Sequence, residues 1–325
     1  MMIRNKYLRG LKTGLYLFLG KKPLIKVEHI LTYSCNLKCG FCGLYNQKVK
    51  ELNKEEIKVL MEEFLKLGCL SWYFGGGEPL LHPDIKELVL YAKSLGYHTT
   101  MTTNSLLVPK NLSWLKNIDL IGVSLEGPKN IHERIRGKGT HALVLNALEL
   151  LNKEKMNLYI STVLTRQLLE NDHEGLRYLL NLSSESKIKI SFLPMFKDQL
   201  NKQKIGSLIT PEDIFKEGIS ILKDFKKENP SLLMMSWRTL KEYEKGIKPF
   251  KCSAGTKFCT IFPDGKISPC RFRKKYKIKE LKRLNVDIKN IRVDDLCSCS
   301  TLCYLEYNNL FKHPLKSLSE IIRHY

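Results

Sequence analysis

Residues 28–46 read EHILTYSCNLKCGFCGLYN, and the meaning of this stretch decides how the rest of the chain is read. An apolar run ends at Tyr33, and Cys35, Cys39 and Cys42 follow within eight positions, spaced C-x3-C-x2-C. Soft thiolate ligands select zinc, copper(I) or iron–sulfur clusters. A closed tetrahedral zinc site asks for a fourth ligand nearby. The only neighbour of that kind is His29, upstream inside a run that reads as a strand. Three sulfurs without a fourth fit a [4Fe–4S] cubane with one iron left open.

Working outward, the next strand and turn read LSWYFGGGEPLLHPD over 70–84. Glycines let backbone approach a ligand closely, and Glu78 offers a carboxylate acceptor. A tight glycine turn with a solvated acid is the plain alternative. The two motifs, in this order and each at the end of a predicted strand, resemble the radical S-adenosylmethionine (radical SAM) enzymes. Phe41, directly before the last cysteine, and Gly76-Gly77-Glu78-Pro79 carry the likeness. The resemblance implies that Cys35, Cys39 and Cys42 are catalytic and hold a [4Fe–4S] cluster, with Phe41 in the cofactor site. It also implies that Gly76, Gly77 and Glu78 hold the amino group of the methionine moiety of SAM.

Further motifs follow later strands. TTNS at 102–105 is similar to the family's TNG, with Ser105 in place of glycine; Asn104 is then a SAM contact, or else forms an Asx turn. GVSLEGPKNIHERIRGKGTH at 122–141 resembles an S-L-D-G followed by H-x-x-x-R-G. By that likeness Ser124 bonds the ribose or carboxylate of SAM and Arg136 pairs with its carboxylate. A surface turn and a solvated arginine are the alternatives. Glu126 replaces the usual aspartate and is given no role. Thr162 and Leu193-Pro194-Met195 stand where relatives contact the adenosine, though apolar strand ends are more often core.

Between these motifs the chain alternates strand-like and helix-like runs. Strands are expected at 26–33, 70–74, 97–102, 119–124, 156–164 and 187–193. Helices are expected at 53–67, 83–95, 109–116, 139–153, 170–182 and 211–227. Asn53 with Glu56, and Thr210-Pro211-Glu212-Asp213, are helix starts. Six βα units with right-handed crossovers predict an α/β fold, a partial (β/α)6 TIM-like barrel with ligands at the carboxyl ends of its strands. The domains expected are a basic amphipathic N-terminal helix within 1–25, the barrel over 26–230 and a small cysteine-rich unit over 231–325.

That last unit carries Cys252, Cys259, Cys270, Cys297, Cys299 and Cys303. In CSAGTKFCTIFPDGKISPC the order C-x12-G-x4-C runs from Cys252 to Cys270, with PDGK marking a turn between two β-like runs. It resembles the SPASM or twitch extensions of radical SAM enzymes, which carry auxiliary iron–sulfur clusters. The resemblance implies one auxiliary [4Fe–4S] cluster drawn from Cys252, Cys270, Cys297, Cys299 and Cys303. The final C-x-C-x3-C departs from the full SPASM pattern, which puts two complete clusters in doubt, and a structural zinc site is the other use of these thiols. Cys259 lies off the pattern and reads as structural, and Cys69 as a plain core residue.

Composition bounds the rest. Ten cysteines in 325 residues, clustered rather than spread, suit metal in a reducing, cytoplasmic setting rather than a disulfide scaffold. No apolar run is long enough for a membrane span, and no secretory signal is expected. Residues 1–26 and 271–292 together hold +15 of the net +21. Such charge suits nucleic acid, an anionic membrane surface or an acidic substrate, or is a solvated lysine-rich surface. The helix at 3–20 either closes the barrel end or lies peripherally on a membrane.

The family likeness implies reductive SAM cleavage to a 5′-deoxyadenosyl radical that abstracts hydrogen from a substrate, with electrons from a donor such as flavodoxin or ferredoxin. The tail points to a peptide, protein or small cofactor precursor as substrate. A lipid ranks second. RNA ranks third, because no RNA-binding module accompanies the charge. A zinc-stabilised binding protein without catalysis is the rival of another class.

Overall fold

The computed structural model describes residues 24–195, 208–246, 250–271 and 296–297. The helix expected over 3–20, and Cys299 and Cys303, lie outside these residues. Six strands form in chain order: β1 (Lys26–Thr32), β2 (Ser71–Gly76), β3 (His98–Thr103), β4 (Leu120–Ser124), β5 (Leu158–Leu164) and β6 (Lys189–Pro194). Each pairs in parallel with the next, from β1 at one side to β6 at the other.

Helices cross over between them. They are α1 (Lys54–Lys66), α2 (Ile85–Ser94), α3 (Val108–Leu115), α4 (Lys129–Arg136), α5 (Thr140–Lys153), the single turn α6 (Arg166–Leu169), α7 (Glu174–Ser186), α8 (Glu212–Glu228) and α9 (Trp237–Lys245). The start of α1 is a capping box: Asn53 Oδ1 accepts from the N–H groups of Glu55 and Glu56, and Glu56 accepts from the Asn53 N–H. Its apolar positions Ile57, Leu60, Met61 and Phe64 then fall on one buried face.

The sheet is larger than the six strands expected. Beyond β1 lie β8 (Phe258–Ile261), parallel to it, and β9 (Ile267–Ser268), antiparallel to β8. A bare β1 edge would leave a row of unpaired N–H and C=O groups, and the tail hairpin covers it. A separate ribbon pairs β7 (Phe250–Lys251) with β10 (Leu296–Cys297). Helical order also extends past residue 231, where the sequence reading ends it. Ser236 accepts from the Thr239 N–H and caps α9, whose Leu240 and Tyr243 are buried.

Side chains alternate across the strands. Outward-facing Val27, Leu31, Trp72, Phe74, Met101 and Ile121 pack under the helices, with the Trp72 ring edge-on to Phe64 at 5.9 Å. Each such side chain contributes roughly 1.5–3 kcal/mol. The inward face is different: Glu28, Tyr73, Thr102, Tyr159, Ser191 and Thr260 line it by the same alternation. The Tyr159 ring lies across Gly122, where an added Cβ would meet its hydroxyl at 2.7 Å, and that hydroxyl bonds Thr102 Oγ1 at 3.2 Å. The lumen wall is therefore mixed, with these hydroxyls and Glu28 standing among Ile30, Leu120, Val163 and Leu193, unlike the branched aliphatic layers that fill a complete (β/α)8 barrel.

Candidate active site

The carboxyl ends of β1 to β4 and the last turn of α4 meet at the cysteine loop. That loop has little regular structure of its own. One turn bond joins the Cys42 N–H to the Cys39 carbonyl at 3.1 Å, and its neighbours hold the rest. Glu51, returning from the loop, accepts from the Thr32 hydroxyl at 2.6 Å and the Tyr33 N–H at 3.1 Å. The Gly40 N–H donates to the Ile135 carbonyl at 3.0 Å, tying the loop to α4.

The glycines after β2 serve this contact. The Gly77 N–H donates to Thr32 O and the Glu78 N–H to Ser34 O, both at 2.8 Å. A Cβ on Gly76 would lie 2.3 Å from Thr32 O, and one on Gly77 would lie 2.2 Å from Ser34 O. No side chain fits either position. The sequence reading takes these glycines as room for a ligand. Here they are also room for the backbone that leads into the cysteines.

Cys35 and Cys39 are surrounded by donors. Cys35 Sγ accepts from the Leu37 N–H at 3.4 Å and from Asn104 Nδ2 at 3.9 Å; Cys39 Sγ accepts from Arg136 Nη1 at 3.8 Å. Burial raises both thiols, Cys39 to about 11, while the Arg136 guanidinium pulls in the opposite direction. Cys42 is near enough to push both upward, and Cys35 adds to the shift of Cys39. Among the described residues no three His, Cys, Asp or Glu side chains converge as ligands of one metal ion. A cubane asks for something else: each cysteine binds its own iron, so three cysteines on one loop, two of them with N–H donors at the sulfur, fit that group.

Arg136 is fixed by Glu126, the residue without an assigned role. Oε1 of Glu126 accepts from Nε at 2.9 Å and Nη2 at 2.5 Å, and Oε2 accepts from the Val163 N–H at 2.8 Å. Burial opposes the charge on Arg136, but the Glu126 carboxylate outweighs it and the net shift is upward. The guanidinium also lies 5.7 Å from the centre of the Phe41 ring. Two of its three nitrogens are held by Glu126 and the third reaches Cys39 Sγ, contacts that the sequence reading of Arg136 as a partner for the SAM carboxylate does not include. His132 was missed as well. Its Nδ1 accepts from the Glu126 N–H at 3.1 Å, and burial, then Arg136, lowers it to about 3, so it stays neutral. Its place four residues before Arg136 on a helix was the available signal.

Asn104 forms the Asx turn offered for it. Its Oδ1 accepts from the Leu106 N–H at 3.2 Å as an Asx turn, while Nδ2 reaches Asn36 Oδ1 at 2.6 Å. Ser105 adopts φ 71, the left-handed conformation a glycine takes easily. Ser124 is buried at the end of β4, in register with Ser161. Thr162 donates to the Leu125 carbonyl at 2.6 Å and so braces β4 against β5.

In the tail, the hairpin brings Cys252 and Cys270 into one cluster with Ala254 and Phe258. The backbone of Cys297 is paired with Phe250, two residues from Cys252. Cys259 is buried in the core beside Val27.

Residues 29–178 match the family model described as the Radical SAM superfamily. The chain is 27% identical over 246 residues to Fe-coproporphyrin III synthase of Methanosarcina barkeri, covering 70% of this chain and 54% of that protein. It is 24% identical over 250 residues to PqqA peptide cyclase of Bradyrhizobium diazoefficiens, covering 74% and 64%. A probable GTP 3',8-cyclase of Saccharolobus solfataricus is 26% identical over 261 residues, covering 78% and 84%. The chain thus spans between half and two thirds of the first two relatives. Among solved structures, Streptococcus suis SuiB bound to precursor peptide SuiA superposes with a TM-score of 0.67 at 18% identity, over 84% of this chain and 66% of that one. The structure of anSMEcpe with bound AdoMet and a peptide gives 0.63 at 21%, over 82% and 79%. At these identities the likeness is one of fold.

Proposed function

We infer that this chain, whose residues 29–178 match the radical SAM superfamily model, is a radical SAM enzyme that binds a [4Fe–4S] cluster through Cys35, Cys39 and Cys42 and cleaves SAM at it. The observation that carries the reading is the meeting of the Gly76-Gly77 backbone, Asn104 and Arg136 at one cysteine loop, with N–H donors directed at two of its sulfurs. When bound, cluster and SAM supply a one-electron cleavage that delivers a 5′-deoxyadenosyl radical for hydrogen abstraction. The chain's own part is to exclude water and position one C–H bond. Gly76 and Gly77 offer close backbone to the methionine end of SAM, and Ser124 lies on the lumen side of β4 for the ribose. Arg136, held by Glu126, sets the positive charge of the site. Cys252 and Cys270, with ligands from Cys297, Cys299 and Cys303, hold an auxiliary cluster in the unit after residue 231.

The substrate proposed is a peptide, a protein segment or a polar cofactor precursor. The lumen supports it: the hydroxyls of Tyr73, Thr102 and Tyr159 match a substrate rich in hydrogen-bonding groups better than a hydrocarbon chain. Relatives named as a PqqA peptide cyclase and an Fe-coproporphyrin III synthase point the same way. Among the described residues no helix is long and apolar enough to cross a membrane.

The test is anaerobic reconstitution with iron and sulfide, followed by an iron count and an assay of 5′-deoxyadenosine from SAM and dithionite. About eight irons are expected, falling to about four with all cleavage lost in Cys35→Ala/Cys39→Ala/Cys42→Ala. About four in the parent protein would remove the auxiliary cluster. Zinc in place of iron, with SAM intact, would sink the enzyme.

A further inference from the structure

Glu78 belongs to the motif expected to face the SAM amino group, yet its carboxylate is already engaged. It is fully buried. Oε1 accepts from the Thr103 hydroxyl at 2.7 Å and the Leu80 N–H at 3.1 Å, and Oε2 accepts from the Asn104 N–H at 2.7 Å. Two backbone N–H groups and a hydroxyl donate to it, so the position calls for an acceptor-only carboxylate. The contacts continue outward. Asn104 Nδ2 donates to Asn36 Oδ1 and to Cys35 Sγ, while its Oδ1 is pinned by Leu106. Asn36 sits beside Cys35 on the loop and is exposed.

We propose that Glu78 and Asn36 are positioning residues for the cysteine loop: Glu78 fixes Asn104, and Asn104 fixes Asn36 and the direction of the Cys35 sulfur. This rests on the reading of Cys35 as a cluster ligand. Within the loop only the Leu37 N–H reaches the Cys35 sulfur, and the side-chain contact to it comes from Asn104 at the end of β3, held by Glu78 after β2. Hydrogen-bonded partners of metal ligands typically matter 10–100-fold in metal affinity. It follows that Glu78 acts before SAM arrives, which separates it from a residue whose task is to hold SAM.

The experiment therefore uses the reconstituted full-length protein without SAM. Iron release to the ferrous chelator bathophenanthroline and the electron paramagnetic resonance signal of the dithionite-reduced cluster are compared across variants. Asn36→Ala is expected to speed iron loss about tenfold and to shift the signal. Asn36→Asp keeps an acceptor for Asn104 and is expected to restore release to within about threefold of the parent. Glu78→Gln turns an amide NH2 against a backbone N–H and is expected to match Asn36→Ala, with the double variant no worse than the larger single one. The strut is wrong if both single variants leave the SAM-free iron release and signal unchanged and Glu78→Gln only weakens SAM binding, or if their effects add. Should Glu78→Gln fail to fold, Asn36→Ala, on an exposed loop position, decides alone. A parent protein that takes up no iron would instead overturn the reading on which the strut rests.

Discussion

The two cysteine regions differ in what surrounds the sulfur. At the barrel mouth, Cys35 and Cys39 face an amide, a guanidinium and a backbone N–H, each fixed in turn by Glu78, Glu126 or a turn. On the tail hairpin, Cys252 and Cys270 pack with Ala254 and Phe258, and the Ala254 N–H reaches Cys252 Sγ at 3.4 Å. The charge next in sequence, Arg271, is paired with Glu28 on the lumen wall. The first region draws its described contacts from four strand ends and one helix. The groups facing its sulfurs are themselves held by charged partners, the arrangement by which proteins tune a metal centre. The second, among the described residues, is a hairpin with a small apolar cluster around two sulfurs.

If the first site depends on charged struts, removing one should cost more there than any change on the hairpin. Glu126→Ala leaves Arg136 buried without its partner, and breaking such a pair costs about 3–5 kcal/mol. Urea unfolding of the cluster-free protein should show that loss, and cysteine reactivity should rise at Cys39. A loss under about 1 kcal/mol would mean that water reaches Arg136 freely. Gly77→Ala comes next. The clash with Ser34 O must be relieved by moving β2 or the loop, at about 3 kcal/mol. Iron at the first site should fall while any held by the hairpin stays.

The comparison also explains what could be read in advance. Strand positions, α1 and its cap, and the order of the motifs were legible because each is a local pattern: alternation, an Asn53–Glu56 box, glycines after a strand. Glu126 and His132 were not legible as a pair of supports. Their function depends on Arg136 and Val163 meeting them in space, and a glutamate where aspartate is usual gives no hint of its longer reach. The pairing of β8 with β1 was hidden for a similar reason. FCTI is short, and its partner lies more than 200 residues earlier. The hydroxyls of the lumen were written in HTTMTT and LYIST, but alternation with threonine and serine inside a buried strand reads as β propensity.

Acid should expose a further difference. His132 is held neutral, with its value lowered to about 3, and returns to an ordinary value near 6.5 on unfolding. Unfolding therefore takes up a proton below that point. The stabilisation is whole above pH 6.5 and is lost as pH falls toward 3, at about 1.4 kcal/mol per pH unit. His29, lowered to about 3 by burial, adds a second proton of the same sign. His132→Asn keeps an acceptor for the Glu126 N–H and should remove one proton from the slope of urea stability against pH, leaving those of His29, His82 and His141, which burial also lowers. An unchanged slope would mean that His132 is charged in the fold. Residues 250–271 contain no histidine, so the hairpin adds nothing of this kind.

The smallest effect belongs where the two regions touch. Gly265 takes φ 77 in the PDGK turn, and a Cβ there would lie 3.1 Å from the Leu52 side chain. The Leu52 N–H donates to the Pro263 carbonyl at 2.8 Å, directly before α1 and directly after Glu51, which steadies the end of β1. Gly265→Ala adds a left-handed alanine at about 1 kcal/mol, and the Leu52 side chain can give way. Stability should fall by that amount, with iron at the first site unchanged. If first-site iron falls as well, the hairpin is part of what holds Glu51 and the cysteine loop in place. The two sites would then be one cooperative unit rather than a finished centre beside a half-built one.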